Sequence, residues 1–343
     1  MVQSYPCVNH KRVCMAKITI IPDNIEFEIN TSEQDILSAG ISNNLNLPHG
    51  CKNGDCGACK CKIVSGEVKL LNYSQKVLPP EEIHQGYTLL CRAHPLSDVV
   101  LNIPNLLSSF PIKTLPAKVL SIDTFGQVAI LKLKLPPTQK FDFYAGQFIE
   151  IILKDKNRSY SIASSPFEHG IIELHVKHYS TGKFSEFVWN ELQIGQILRF
   201  RGPLGNFRLQ DSDAPIVMAC TGTGFAPIKA ILESMAINKS NREITLFWGN
   251  SDYRDFYLLE HLEKISRNLN IRVNLSLSRE TRLGFLPGRV TRLIKKEFAD
   301  LSNYEMYACG NLSMIENVYN IATTELGLDK TKFFSDAFTP SVV

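Results

Sequence analysis

Residues 48 to 61 read Pro48-His49-Gly50-Cys51-Lys52-Asn53-Gly54-Asp55-Cys56-Gly57-Ala58-Cys59-Lys60-Cys61. Within this run, Cys51, Cys56 and Cys59 have the spacing C-x4-C-x2-C, and Cys91 follows in a later strand-like segment. This spacing is typical of a plant-type [2Fe–2S] cluster, in which four thiolates complete the tetrahedral coordination of two irons that share bridging sulfides. We therefore predict these four cysteines as the metal ligands.

Gly50, Gly54 and Gly57 alternate with these cysteines. Glycine reaches backbone conformations that side chains forbid, so the loop can wrap closely and aim N–H groups at the sulfurs. A zinc site and a disulfide pair are the alternatives. Zinc sites usually have two separated knuckles, and disulfides are uncommon in a chain without a secretory signal. We interpret Cys61, two residues after Cys59, as a structural cysteine, and His49 as a surface residue.

The bulk composition excludes several classes of protein. The chain has 343 residues, enough for two or three domains, and 44% of them are hydrophobic. The net charge is +3 with both signs interspersed, which argues against a nucleic-acid partner. No apolar run approaches the roughly 18 residues of a membrane span. Nine cysteines without an export signal predict a reducing compartment, the cytoplasm.

Residues 15–104 have the pattern of a small α+β domain, preceded by an N-terminal extension, 1–14. Runs at 16–21 and 25–29 predict a hairpin, and a short helix follows Asp35. Further strands are predicted at 60–64, before Cys91 and at 99–103, with a second short helix at the prolines 79 and 80. This order resembles a β-grasp ferredoxin. The proline-containing residues 105–116 are predicted to be a linker.

Two further domains follow the linker. Alternating apolar residues predict short strands at 118–122, 128–135, 148–153, 171–176 and 197–201, and therefore an antiparallel β-barrel over 117–211. From residue 212 to 343 the pattern changes to buried strands that alternate with helices. The strands are predicted at 216–219, 244–248, 273–277 and 306–308, which indicates a parallel, Rossmann-like α/β sheet.

The barrel contains the run Arg158-Ser159-Tyr160-Ser161. Because residues two apart share a face of a strand, Arg158 and Tyr160 should point together and Ser161 the other way. An arginine can bind a pyrophosphate through two hydrogen bonds, and a tyrosine can lie against a flat ring system. Ser161 can hydrogen-bond a ring nitrogen. An ordinary edge strand with a surface arginine is the alternative.

A second segment of the barrel contains candidate phosphate-binding residues. Gly182 permits a backbone nest for phosphate, and Ser185 can cap the following helix. We also predict that Lys177, at the end of the preceding strand, binds the cofactor.

These motifs resemble the ferredoxin–NADP⁺ reductase superfamily. Arg158, Tyr160 and Ser161 match its R-x-Y-S flavin signature, and Gly182 and Ser185 match its second phosphate motif. The resemblance implies FAD rather than FMN. It also implies that Tyr160 packs on the flavin and that Ser161 lies near flavin N5.

The α/β domain has two candidate nucleotide-binding motifs. Gly222, Thr223 and Gly224, followed by Pro227 in the first helical turn, let a pyrophosphate approach the positive end of a helix. Cys309 and Gly310 end the last predicted strand, where such sheets bind ligands. The resemblance puts this pair beside the nicotinamide, with Ser161 and Cys309 as the catalytic residues. A common strand–helix turn and a buried structural cysteine are the alternatives.

The C-terminal residues suggest a cover for the flavin. The resemblance implies that a terminal aromatic, for which Phe338 is the candidate, covers the flavin face, with Asp336 as a nearby polar contact. A C-terminal strand with core aromatics is the alternative. Ser278 and Arg279 stand where members that use NADPH often hold the 2′-phosphate, but overall likeness favours NADH.

The order of the three domains also resembles the reductase components of bacterial oxygenases and the CDP-6-deoxy-glucoseen reductase type. It implies that electrons pass from NAD(P)H to FAD, then to the [2Fe–2S] cluster, and finally to a partner oxygenase or dehydrase. The flavin accepts two electrons and releases them singly. A free-flavin or ferric reductase and a non-catalytic redox sensor are the alternatives.

Overall fold

The computed structural model describes residues 15–30, 34–103, 106, 110–154 and 157–338. The predicted extension 1–14 and part of the predicted linker lie outside these ranges. The chain divides into two compact units, residues 1–112 and 113–343. Within the described residues, no helix is both long and apolar enough to cross a membrane.

The first unit is a small α+β fold. Its elements are β1 (Met15–Ile21), β2 (Ile25–Asn30), α1 (Ile36–Ser42), β3 (Lys60–Ser65), β4 (Val68–Leu70), α2 (Pro80–His84), β5 (Tyr87–Leu89), β6 (Ala93–Pro95) and β7 (Val99–Asn102). In the described part of this unit, the main sheet has the order β2-β1-β7-β3-β5, and β4 pairs separately with β6. Strand β1 runs antiparallel to β2 and parallel to β7. This topology confirms the predicted β-grasp fold.

Local sequence explains the first elements of this unit. In β1, Ala16, Ile18 and Ile20 alternate with more exposed residues and enter the core. Helix α1 begins after Asp35, whose side chain accepts the N–H of Ser38 at 2.8 Å and so caps the helix. The apolar side of α1 joins the same core. The cysteine loop then fills the connection between α1 and β3.

The first half of the second unit is an antiparallel barrel. Its elements are β8 (Lys113–Phe125), β9 (Val128–Lys134), β10 (Phe148–Ile151), β11 (Arg158–Ser161), β12 (Ile171–Lys177), α3 (Lys183–Asn190) and β13 (Ile197–Leu204). The sheet order is β11-β10-β13-β8-β9-β12. An isolated bridge between Ile162 and Leu174 joins its two ends, so the sheet is nearly closed, as predicted.

Strand β8 begins inside the stretch that was predicted to be a linker. Lys113 already pairs with Gly202 of β13. Leu115 and Ala117 are both buried in the barrel core. Buried and exposed residues alternate from Leu115 into the barrel, but the prolines in this stretch indicated a turn.

The second half of this unit is an α/β domain. Its elements are β14 (Ile216–Thr221), α4 (Phe225–Ile237), β15 (Ile244–Asn250), α5 (Leu259–Ser266), β16 (Ile271–Leu277), β17 (Leu286–Pro287), α6 (Val290–Glu297), β18 (Glu305–Asn311), α7 (Leu312–Asn320) and β19 (Phe333–Phe338). Short 3₁₀ turns occupy Gly222–Gly224, Tyr253–Asp255 and Lys330–Lys332, and a π-helical turn occupies Ile321–Glu325.

These strands form a parallel sheet with the order β17-β16-β15-β14-β18-β19. Strand β15 is buried along its whole length and β14 along nearly all of it, which explains why both are almost continuous apolar runs. The strand order reverses direction at β14, between β15 and β18. In open sheets of this kind, ligands bind at the carboxyl ends of the strands where the order reverses. The predicted Rossmann-like fold is confirmed.

Candidate functional site

The four predicted cluster cysteines come together as two pairs. The Sγ atoms of Cys59 and Cys91 lie 3.3 Å apart. Cys51 and Cys56 are hydrogen-bonded to each other, and the Cys51 N–H also donates to Cys56 Sγ at 3.3 Å. Two pairs suit a two-iron cluster, because each iron takes two protein thiolates. In the ranges that the structure describes, no group of three or more His, Cys, Asp or Glu side chains is arranged to hold one metal ion.

The two thiols of each pair have opposite pKa shifts. A hydrogen bond from Cys56 lowers the pKa of Cys51 to about 6, and a hydrogen bond from Cys59 lowers the pKa of Cys91. The same hydrogen bonds, together with burial, raise the pKa of Cys56 and Cys59. One thiol of each pair therefore ionises readily, and metal binding displaces the remaining protons. The donor set fits a [2Fe–2S] cluster.

The backbone of the loop points hydrogen-bond donors at these sulfurs. The N–H groups of Asn53 and Asp55 hydrogen-bond to Cys51, and the N–H of Gly54 hydrogen-bonds to Cys91. Donors of this kind stabilise the negative charge that a bound cluster gains on reduction.

The glycines of the loop have different roles. Gly54 and Gly57 have φ values of 86° and 75°, in the left-handed region that was expected of them. Gly50 does not have a positive φ, and a Cβ at this position would lie 3.3 Å from Cys56 Sγ, so the glycine leaves room for the sulfur. Lys52, with φ 61°, is a left-handed residue that the sequence did not indicate.

Cys61 and His49 lie near the loop and are both buried. Cys61 belongs to the core of the first unit, and burial raises its pKa to about 12, as suits a structural thiol. The prediction that His49 is a surface residue was wrong. Its side chain is buried, and its Nδ1 lies 2.6 Å from the carbonyl oxygen of Leu47.

The predicted flavin strand is β11, at one end of the barrel sheet. The Tyr160 ring packs against the Phe184 ring of α3, with centroids 5.2 Å apart, and burial raises the pKa of the Tyr160 phenol. The Arg158 guanidinium donates from Nη1 to the carbonyl oxygen of Asn157 at 3.1 Å. Ser161 is buried although Ser159 is exposed.

Ser161 is buried because it meets the last strand of the α/β domain. Its hydroxyl donates to Asp336 Oδ2 at 3.1 Å, and Asp336 lies opposite Cys309 in the register of β18 and β19. Burial raises the pKa of Asp336 to about 6, although the hydrogen bond from Ser161 lowers it. Burial and the nearby Asp336 charge raise the pKa of Cys309. Three chemically different groups therefore lie close together: the Ser161 hydroxyl, the Asp336 carboxyl group with its raised pKa, and the Cys309 thiol.

The predicted phosphate segment surrounds the start of α3. Gly182 is the N-cap residue, and a Cβ there would lie 2.5 Å from Ser185 Oγ. The prediction that Ser185 caps the helix was wrong, because Ser185 lies inside α3. Its hydroxyl is 2.9 Å from both the Tyr179 and the Gly182 carbonyl oxygens. Lys177 Nζ lies 3.6 Å from Asp255 Oδ1 of the α/β domain.

Two side chains of β15 hydrogen-bond to the backbone of the predicted nucleotide turn at Gly222. Gly222 has φ 54°, and its N–H donates to Asn250 Oδ1 at 3.0 Å. The Trp248 indole donates from Nε1 to the Gly222 carbonyl oxygen at 3.2 Å. Asn250 was missed by the sequence reasoning; a polar residue that ends an otherwise apolar strand was the available signal. No described atom lies within 4 Å of the place of a Gly222 Cβ, so space for a ligand remains beside the turn.

The turn also contacts the Cys-Gly pair of β18 closely. A Cβ on Gly224 would lie 2.3 Å from the Cys309 carbonyl oxygen, and a Cβ on Gly310 would lie 2.6 Å from Thr221 Oγ1. Gly310 has φ 129°, a conformation that favours glycine. Only glycine fits at both positions, which explains the glycines of the two motifs.

Three further predicted cofactor-binding residues lie in the α/β domain. Thr223 is the middle residue of the 3₁₀ turn, and Pro227 lies in the first turn of α4. Phe338 ends β19, opposite Asn311, and is partly buried against the core of the α/β domain. Its predicted contact with the flavin stays a prediction.

Family models match three successive parts of the chain. The 2Fe-2S iron-sulfur cluster binding domain matches residues 18–96. The oxidoreductase FAD-binding domain matches residues 118–209, and the oxidoreductase NAD-binding domain matches residues 218–320. These matches agree with the chemistry of the residues described above, so the cofactors of the chain are a [2Fe–2S] cluster, FAD and a nicotinamide nucleotide.

Relatives match this chain over most of its length. The CDP-6-deoxy-L-threo-D-glycero-4-hexulose-3-dehydrase reductase of Yersinia pestis is 37% identical over 310 residues, which cover 89% of this chain and 93% of that protein. The reductase component of propane 2-monooxygenase from Mycolicibacterium goodii is 29% identical over 343 residues, which cover 95% of this chain and 98% of that protein. The crystal structure of the Amycolatopsis cytochrome P450 reductase GcoB is similar with TM-score 0.78 and 25% identity, and the match covers 95% of this chain and 100% of that one.

These findings establish the activity of the chain. It is an NAD(P)H oxidoreductase that passes electrons from NAD(P)H through FAD and the [2Fe–2S] cluster to a partner protein. The chain belongs to the ferredoxin–NADP⁺ reductase superfamily, within its group of [2Fe–2S]/FAD reductase components.

Proposed function

We propose that this reductase takes electrons from NADH at a centre formed by Ser161, Asp336 and Cys309, and that its protein partner is a dehydrase. The single observation that supports the centre is the hydrogen bond from Ser161 to Asp336, because it joins the flavin strand to the strand beside Cys309. FAD, when bound, accepts two electrons as a hydride from the nicotinamide and releases them one at a time to the cluster.

The residues of the chain have separate roles in this proposal. Arg158 binds the FAD pyrophosphate, and Tyr160 lies against the flavin ring. Asp336 accepts a hydrogen bond from the Ser161 hydroxyl beside the flavin. Because burial raises its pKa to about 6, the Asp336 carboxyl group can take up or give up a proton there near neutral pH. Cys309 is small enough to leave room for the nicotinamide ring.

Further residues complete the two binding sites. Lys177, Gly182 and Ser185 line the phosphate side of the FAD site. The turn Gly222–Gly224 and the start of α4 bind the nucleotide pyrophosphate at the positive end of the helix. Gly310 and Phe338 border the ring-binding space.

NADH is the proposed nucleotide because Glu280 puts a carboxylate directly after Ser278 and Arg279, where the resemblance places the 2′-phosphate of NADPH. The side chain of Glu280, which follows β16, accepts a hydrogen bond from the Tyr253 N–H. The Arg282 guanidinium lies 3.4 Å above the centre of the Tyr253 ring. A carboxylate there would repel the 2′-phosphate of NADPH but not the ribose 2′-hydroxyl of NADH. The ratio of kcat/KM for NADH to that for NADPH tests this choice. It should exceed about tenfold and fall in Glu280→Gln; a preference for NADPH in the native chain would overturn it.

A dehydrase is the proposed partner because of the graded similarity to relatives. The Yersinia pestis dehydrase reductase is 37% identical, whereas the propane monooxygenase component is 29% identical over a similar share of the chain. An oxygenase is the second candidate, since reductase components of oxygenases match 90% or more of this chain. The test adds the dehydrase that the Yersinia pestis protein serves, or a propane-type oxygenase, each with its substrate, to this chain and NADH. NADH oxidation should depend on the dehydrase and its substrate, and dependence on the oxygenase alone would overturn the choice.

The domain boundaries and the cellular compartment are also proposals. The proposed boundaries are an extension 1–14, domains 15–104, 117–211 and 212–343, and a linker 105–116, whose residues from Lys113 onward belong to β8 of the barrel. The seven cysteines that fall within the described residues form no disulfide, which supports a reducing compartment such as the cytoplasm. Fractionation of cells that express the tagged chain would test the compartment, and recovery from an oxidising compartment would overturn it.

A further inference from the structure

A lysine is buried between the barrel and the α/β domain. Lys229 lies on α4, and only 5% of its side chain is exposed. Its Nζ is 2.8 Å from Glu233 Oε1 on the same helix, 3.1 Å from Glu173 Oε1 on β12 and 3.1 Å from the carbonyl oxygen of Ala163. A buried ammonium group is costly unless it is well paired. Here one charge has partners on both domains.

Further side chains extend this cluster on both sides. His175 on β12 contacts Glu173 Oε1 through Nε2 at 2.9 Å, and its Nδ1 contacts the Tyr257 hydroxyl of the α/β domain at 2.9 Å. His261 on α5 contacts Glu233 Oε1 at 2.7 Å. Burial raises the pKa of Glu173, but the hydrogen bond from His175 and the charge of Lys229 lower it to about 2. Glu173 is therefore an anion opposite the lysine cation at neutral pH.

The cluster contacts the backbone next to the flavin strand through Ala163. Ala163 follows the flavin strand, two residues after Ser161. Its N–H donates to the Glu173 carbonyl oxygen at 2.8 Å, while its own carbonyl oxygen accepts from Lys229. At the other end, Lys229 lies near the start of α4, directly after the turn Gly222–Gly224. A single side chain thus joins the exit of the flavin strand to the helix that begins at the nucleotide turn.

We propose that Lys229 is a positioning residue that fixes the separation between Ser161 and the nucleotide turn. This inference rests on the proposed function, in which hydride transfer takes place between ligands held at these two places. Transfer between bound partners depends steeply on their separation, and a displacement of about 1 Å can slow a reaction by roughly 100-fold. Lys229 contacts neither ligand in this account and acts through Ala163 and α4.

Two variants and one control test the proposal. Lys229→Met removes the charge but leaves two carboxylates buried, so it can fail to fold. The triple variant Lys229→Met with Glu173→Gln and Glu233→Gln keeps the cluster neutral and serves as the second test. Lys264→Met is the control, because Lys264 is exposed on the neighbouring helix α5.

The first measurement is hydrogen exchange in the absence of NADH. The Ala163 N–H should exchange at least about tenfold faster in either variant than in the native chain, and the control should match the native chain. The second measurement is the stopped-flow rate constant of flavin reduction by saturating NADH. It should fall roughly 10- to 100-fold, while the FAD content and the Kd of NAD⁺ stay within about twofold.

Three results would overturn the proposal. They are unchanged Ala163 exchange in a folded variant, an unchanged rate constant of flavin reduction, and loss of FAD from both variants, which would indicate a role in folding alone. Failure of the proposed function is distinguishable, because then the native chain itself would not be reduced by NADH. The exchange measurement would still report whether Lys229 holds Ala163.

Discussion

Ser161 Oγ donates a hydrogen bond of 3.1 Å to Asp336 Oδ2, although 175 positions separate the two residues in the chain. The serine belongs to the barrel, and the aspartate belongs to the last strand of the parallel sheet. A hydroxyl donor and a carboxyl group with a raised pKa are thereby fixed next to each other. The pair can hold a proton where the two cofactor-binding domains meet.

The raised pKa of Asp336 predicts a pH-dependent gain in stability for Asp336→Asn. Burial raises the pKa from 3.8 to about 6, so between these values the folded protein binds a proton that the unfolded chain has released. The native chain therefore loses stability as the pH rises through this window. Asparagine carries no such cost. In FAD-free protein, Asp336→Asn should be more stable than the native chain by at most roughly 3 kcal/mol above pH 7, with no gain below about pH 4.

Thermal denaturation of FAD-free protein at a series of pH values measures this difference. Asp211→Asn is the control, since it makes the same substitution at an exposed position. A gain for Asp336→Asn that grows toward acidic pH would contradict the direction of the pKa shift.

The paired thiols predict that Cys56→Ser loses the [2Fe–2S] cluster but keeps FAD. One of the two protein thiolates of one iron is removed, whereas the barrel is unchanged. Visible absorbance of the purified protein should then show the flavin alone. Cys61→Ala is the matched control, because Cys61 is buried in the core and its pKa is raised to about 12, so it should keep the cluster. A full cluster spectrum in Cys56→Ser would remove Cys56 from the ligand set.

The flavin strand predicts that Arg158→Ala releases FAD. A bidentate contact to a phosphate is worth about 1.5–3 kcal/mol, which corresponds to a roughly 10- to 150-fold weaker Kd. Gel filtration followed by flavin absorbance measures the occupancy. Arg199→Ala is the control, because Arg199 is exposed on β13 of the same barrel. Full occupancy in Arg158→Ala, or equal loss in both variants, would count against a phosphate role for Arg158.

The hydrogen bond from Gly222 to Asn250 predicts a binding defect in Asn250→Leu. The substitution removes the acceptor of the Gly222 N–H and so weakens the preorganised turn. The KM for NADH should rise about 5- to 10-fold, as for the loss of one hydrogen bond, with kcat nearly unchanged. Asn268→Leu, at an exposed position beyond α5, is the control. A lower kcat at an unchanged KM would show that Asn250 acts on a step other than nucleotide binding.

The sequence predicted the fold well because each domain has a strong local pattern. The spacing of Cys51, Cys56 and Cys59 identified the cluster loop before any topology was known. The apolar runs of β14 and β15 indicated buried parallel strands. The first residues of β8 were predicted to be part of the linker. The prolines there indicated a turn, although Leu115 belongs to a short run of alternating buried residues.

The candidate site was only partly predictable, because several of its contacts join distant parts of the chain. Asp336 was expected only as a polar residue near the flavin, and its hydrogen bond to Ser161 depends on how β19 packs beside the barrel. Lys229 has the appearance of a surface lysine in an otherwise apolar helix. Its role depends on Glu173, which belongs to another domain. No local pattern encodes such pairs.

Two electrons enter this reductase together at the nucleotide site and leave singly through the cluster. Anaerobic addition of NADH to fully reconstituted protein, followed by flavin absorbance and EPR together, tests it most directly. We predict that the flavin absorbance bleaches first and that a rhombic EPR signal then appears, whereas Cys56→Ser bleaches without giving the signal. A rhombic signal that precedes bleaching, or a bleached native protein that never gives the signal, would contradict the account.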